Sequence, residues 1–157
     1  MKKLVSVIVF GILAFNVSAQ GADEMAEIRQ ILGKEKKDLI KQFMNLNEAD
    51  AAKFWPLYDQ YSEKRTSIAN DRISLLKDYV NGYDGMTEEL ASSLGKKYFK
   101  NESANLKLQQ KYFKKISKSV SPMKAMQFMQ AENYIQTTIK SALQDAIPFV
   151  GEFEKSK

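Results

Sequence analysis

Three short patterns in this chain could carry chemistry. Ser121-Pro122-Met123-Lys124 and Ser93-Leu94-Gly95-Lys96 both read Ser-x-x-Lys, a spacing that sets a lysine amine near a serine nucleophile. Neither copy has the Ser-Asp-Asn or Lys-Thr-Gly partners that this acyl-transfer chemistry uses. Its appearance twice in one chain shows how cheaply the pattern arises. Ser121 also stands directly before a proline, and a capping serine with proline at the first helical position is a common helix start. Capping is the role expected of Ser121.

The second pattern is Met123, Met126 and Met129, recurring every third residue. Thioether sulfurs can ligate copper(I). The same side chains fill irregular gaps and build adaptable binding surfaces, so both readings stand. The third is the carboxylate pair Glu88-Glu89 behind Thr87. At a helix start such charges meet the positive end of the helix dipole, and a structural role is expected of them.

What is missing narrows the chemistry further. The chain contains no His and no Cys. The commonest general base, the usual zinc ligands and every thiol nucleophile are therefore out of reach. No glycine-rich, phosphate-cradling loop is present either. The expectation is a protein that binds, without catalytic residues and without a cofactor.

The chain opens with an address. Lys2 and Lys3 precede an apolar run from Leu4 to Phe15, and Val17-Ser18-Ala19 supplies the small residues of a cleavage site. The run falls short of the roughly 20 residues a membrane span takes. Residues 1–19 read as a cleavable signal peptide, with cleavage after Ala19 and export to the periplasm. Residues 20–157 then form a single domain by length. Losing Lys2 and Lys3 lowers the net charge from +5 to +3, and nucleic acid is not an expected partner. Without cysteine, stability rests on packing alone.

The elements that position these residues are helices. Apolar residues recur at helical spacing throughout, and no stretch alternates long enough for a sheet. A first helix is read from about Asp23 to Met44, with Met25, Ile28, Leu32, Leu39, Ile40 and Phe43 on one face. A second starts at the cap Asn47 and carries Phe54, Tyr58, Tyr61, Ile68, Leu75 and Tyr79 on a near-heptad seam. Pro56 should kink it or delay its regular start. Asn81-Gly82 and Asp84-Gly85 end it. Thr87 caps a third helix with Leu90, Leu94, Tyr98, Leu108, Tyr112 and Ile116 inside. Ser121 caps a fourth, with Ala125, Phe128, Met129, Ile135, Ile139, Ala142 and Leu143 inside, and Pro148 ends it. The fold expected is all-α, about four helices, two of them long, in a thin extended hairpin or cradle.

Charges interrupt the seams. Arg65 and Arg72 fall among Tyr61, Ile68 and Leu75, and Glu132 falls between Phe128 and Ile135. A charge on an apolar stripe is costly unless paired. Either Glu132 reaches Arg65 or Arg72 as a structural ion pair, or these residues lie on an open, solvated face. An internal echo accompanies them: Leu46-Asn47, Phe54 and Tyr61 match Val120-Ser121, Phe128 and Ile135 at identical offsets.

On these residues the chain resembles the Spy/CpxP family of periplasmic chaperones and envelope-stress modulators, from about Leu46 to Val150. The segments that carry the likeness are Leu46-Asn47-Glu48-Ala49-Asp50 before Phe54-Trp55-Pro56-Leu57-Tyr58, and Val120-Ser121-Pro122-Met123-Lys124 before Phe128. They stand where that family repeats Leu-Thr-x-x-Gln. Asn and Ser replace the Thr, and Asp and Lys replace the Gln. Met86-Thr87-Glu88-Glu89-Leu90 keeps the Thr and lacks the Gln. The resemblance implies a thin helical cradle, commonly dimeric, that holds unfolded or partly folded envelope proteins without ATP or damps a sensor kinase. Carried to this chain, the contacts it implies are Trp55 and Tyr58, the stripe Met123, Met126 and Met129, and the basic face of Lys111, Lys114 and Lys115. The Met stripe keeps a metal-responsive reading open beside it.

Overall fold

A computed structural model describes residues 35–145, with side chains to 141, and they form an all-α fold. Residues 1–19, the face positions Met25, Ile28 and Leu32, and the residues around Pro148 lie outside the described residues. Four helices are described: α1 over 35–44, α2 Glu48–Gly82, α3 Glu88–Ser119 and α4 Pro122–Asp145.

Local chemistry sets the helix ends. Asn45 closes α1 in the left-handed region at φ 38°, its N–H donating to the Lys41 carbonyl at 3.2 Å. Asparagine tolerates that backbone better than most side chains. Two residues on, Asn47 caps α2 by accepting from the Asp50 N–H at 2.8 Å, while its own amide donates to the Asp50 carboxylate at 3.1 Å. Thr87 accepts from Leu90 N–H at 3.2 Å, and Ser121 accepts from Lys124 N–H at 3.1 Å. Each cap satisfies one of the orphan donors of a first helical turn.

Pro56 does not delay α2. The helix is continuous from Glu48 across Pro56 to Gly82. Proline there removes one backbone donor, and the 35-residue helix runs through the gap. Gly82 ends it, where an added Cβ would stand 2.5 Å from Leu90 Cδ2 and require that side-chain end to shift.

By packing, the described backbone divides into two compact units. Residues 47–126 form one; 35–46 with 127–145 form the other. The first is a long antiparallel hairpin of α2 and α3. Lys97 meets Asp78 at 2.7 Å, the Asn101 amide donates to the Ile68 carbonyl at 2.8 Å, and Tyr61 meets Tyr112 edge-on at 5.5 Å. Phe54, Tyr58, Tyr61, Leu75, Leu94, Leu108, Tyr112 and Ile116 are buried, as helical spacing requires. Tyr98 departs from that pattern at 39% exposed, with the Arg72 guanidinium lying over its ring, 4.6 Å from the centroid.

In the second unit Leu39, Ile40 and Met44 of α1 are buried, as are Phe128, Met129, Ala131 and Ile135 of α4. The Gln127 amide donates to the Phe43 carbonyl at the end of α1, satisfying a helix-terminal acceptor. Phe43 and Tyr134 stand 6.1 Å apart, ring to ring. Glu132 is fully buried here, which removes the solvated-face reading for it. Its carboxylate lies 2.7 Å from Lys36 Nζ, a partner the sequence reading did not include.

Candidate binding surface

Burial sorts the residues singled out from sequence. Tyr58 and Met129 are buried and cannot touch a partner. Trp55 is half-buried, its ring edge-on to Phe54 at 5.1 Å and to Tyr58 at 5.4 Å. Met123 is 77% exposed and Met126 also stands out, so only two of the three methionines reach the surface. Positions three apart step about 60° around a helix, and the stripe turns inward by Met129. Three sulfurs therefore do not present to one ligand. Lys111 and Lys114 are exposed; Lys115 lies half-buried over the Tyr112 ring at 5.1 Å and donates to Gln60 at 3.5 Å.

Arg65 and Arg72 are both half-buried. Arg72 lies 3.9 Å from the Glu102 carboxylate besides covering Tyr98. The polar contacts of the hairpin thus form two rows. Asp78 with Lys97 and Gln60 with Lys115 mark one side; Arg72 with Tyr98 and Glu102 marks the other.

That second side is apolar and open. Ile73 follows Arg72, and Phe99 follows Tyr98. One heptad further on come Val80 and Leu106, which returns each stripe to the same face. Phe99 is 71% exposed, Val80 56%, Leu106 55% and Ile73 38%. Phe113, again one heptad on, is half-buried. Large apolar side chains gathered on one side are uncommon on a surface that has no partner.

Beside this stripe runs a row of charge. Lys96, Lys100, Lys107, Lys111, Lys114 and Lys118 are all exposed and recur at intervals of three, four or seven. They occupy the outer edge of α3, turned away from α2. No ion pair engages them among the described residues. Helix α3 holds eight lysines against three glutamates, a surplus equal to the whole chain's +5. Averaged over the chain the charge looks mild; on α3 it is concentrated. Periodicity of charge, rather than its sum, was the signal in the sequence.

Ser121 and Glu88-Glu89 behave as helix-start residues. Ser121 Oγ accepts from the Lys124 backbone, and both glutamates lie in the first turn of α3. Ser93 is exposed in mid-helix, on α3. No described helix is long and apolar enough to cross a membrane. No family model, no curated protein and no solved structure matches the chain.

Proposed function

We propose that this protein binds partly folded polypeptides of the cell envelope without turnover, as an ATP-independent chaperone. The observation that carries this reading is the open apolar side of the α2–α3 hairpin, with Phe99 71% exposed and Leu106 on the same stripe. The resemblance to Spy/CpxP chaperones and the leader-like residues 1–19 support the envelope as its place of work.

The energetics favour a loose hold. Fully burying a Leu or Phe side chain contributes about 1.5–3 kcal/mol, and these residues are already partly covered. A micromolar complex needs about 8 kcal/mol net of ordering costs. A few such contacts fall short of that alone. Long-range attraction to the lysine row raises the encounter rate and adds affinity for acidic segments. Exposed Met123 and Met126 add adaptable contacts. Grip and release can then both be fast.

The test is suppression of light scattering by several unrelated denaturing clients at near-stoichiometric ratios, using protein that begins at Gln20. Protection of most clients supports the reading. Saturable binding to one sensor-kinase domain with no client protection would replace it with a dedicated regulatory role. Copper(I) binding that is lost on changing Met123 and Met126 to Leu would replace it with a metal-responsive one.

A further inference from the structure

The lysine row has a geometry that client binding does not require. From Lys96 to Lys118 it follows one edge of a single continuous helix over about 33 Å. The only acidic residue between them, Glu102, is on the opposite side of the apolar stripe beside Arg72. We propose that this edge of α3 lies flat on an anionic lipid surface.

Charge complementarity selects a plane of anions. A row of ammonium groups along one helix edge can meet a flat array of headgroups along its length, whereas a duplex crossing it meets only part. Helix α3 has no arginine, so the forked, bidentate contacts that dominate specific phosphate and base recognition are missing. Lysines need only nearby negative charge, and their long stems let the ammonium reach the headgroup level. Phe99 and Leu106 stand next to the row, about 60–100° around the helix. Exposed aromatic and aliphatic side chains flanked by lysine are what an interfacial helix inserts beneath the headgroups. Each lysine at an anionic surface contributes independently, so the effect scales with the row.

The experiment is vesicle co-sedimentation of protein beginning at Gln20, with phosphatidylcholine vesicles and with vesicles half phosphatidylglycerol. Binding is expected to the anionic vesicles alone and is expected to fall as salt rises. The variant K100Q/K107Q/K111Q/K114Q should lose more than about a hundredfold in binding. The control K64Q/K77Q, changing exposed lysines of α2, should bind as before. F99A/L106A should bind more weakly with the same salt dependence. All three sets of positions are exposed, and unchanged circular dichroism checks their fold. Equal binding to zwitterionic vesicles would overturn the proposal, as would an unaffected quadruple variant. Binding to duplex DNA as tight as to the anionic vesicles, in the same buffer, would overturn it too and assign the row to polyanions in general. No client protein enters the assay, so its outcome is independent of the chaperone reading.

Discussion

Lys36 of α1 and Glu132 of α4 form a 2.7 Å ion pair whose carboxylate is fully buried and whose ammonium is only partly exposed. The pair joins two helices that are far apart in sequence, and it lies among Leu39, Ile40, Phe128 and Ile135 positions that are otherwise apolar. A buried charge is tolerated only with its partner in place. The double-mutant cycle of K36M and E132Q should therefore give a coupling energy above about 1 kcal/mol by chemical denaturation. Costs that add to within about 0.5 kcal/mol would show that the pair does not act as a unit.

Tyr112 supplies a pH signature. Its hydroxyl is buried without a hydrogen-bond partner, and burial, followed by the nearby Glu63 carboxylate, raises its pKa above the ordinary 10.0. The folded chain thus holds the phenolic proton more tightly than the unfolded chain does. That contribution is fully present below the unfolded pKa and is lost as pH rises through the folded one. Melting temperature should fall above about pH 10, and Y112F should flatten part of that fall. At neutral pH the same variant should be neutral or slightly stabilising, because it removes an unsatisfied polar atom and keeps the ring against Tyr61. Identical alkaline profiles for the two proteins would contradict this.

Two helical glycines should respond differently to alanine. A Cβ added at Gly95 in α3 would have nothing within 4 Å. G95A should stabilise by about 0.5–1 kcal/mol by lowering the entropy of the unfolded chain. At Gly82 the new methyl would stand 2.5 Å from Leu90 Cδ2 and make that side-chain end shift, so G82A should gain less than G95A. Thermal melts of the two variants decide it. A larger gain from G82A than from G95A would contradict this.

The three caps give a further check. N47A, T87A and S121A should each cost about 1 kcal/mol and leave client protection at permissive temperature unchanged. Loss of protection in S121A at intact fold would reopen a chemical role for that hydroxyl.

Those caps also show what the sequence made legible. A cap and the side chains one and two heptads beyond it depend on chain-local geometry. The echo of Asn47, Phe54 and Tyr61 in Ser121, Phe128 and Ile135 is realised in full: both caps accept, and all four apolar residues are buried. Pairing between helices was not legible in the same way. The burial of Glu132 called for a cation, but which one depends on the helix that lies opposite, and Lys36 carries no local mark. Tyr98 fits the apolar period and still lies partly open, with the Arg72 guanidinium over its ring. The surface itself was half-hidden. Tyr58 and Met129 were drawn inside by packing, while Phe99, Leu106 and most of the lysine row were masked by a modest net charge.

The most direct measurement is photo-crosslinking from defined positions to a non-native client. A crosslinker at Leu106 or Ile73 should capture the client strongly, and one at Ser67, exposed elsewhere on α2, should capture little. Equal capture from all three, or none from Leu106 and Ile73, would contradict the assignment of client binding to the open apolar side of the hairpin.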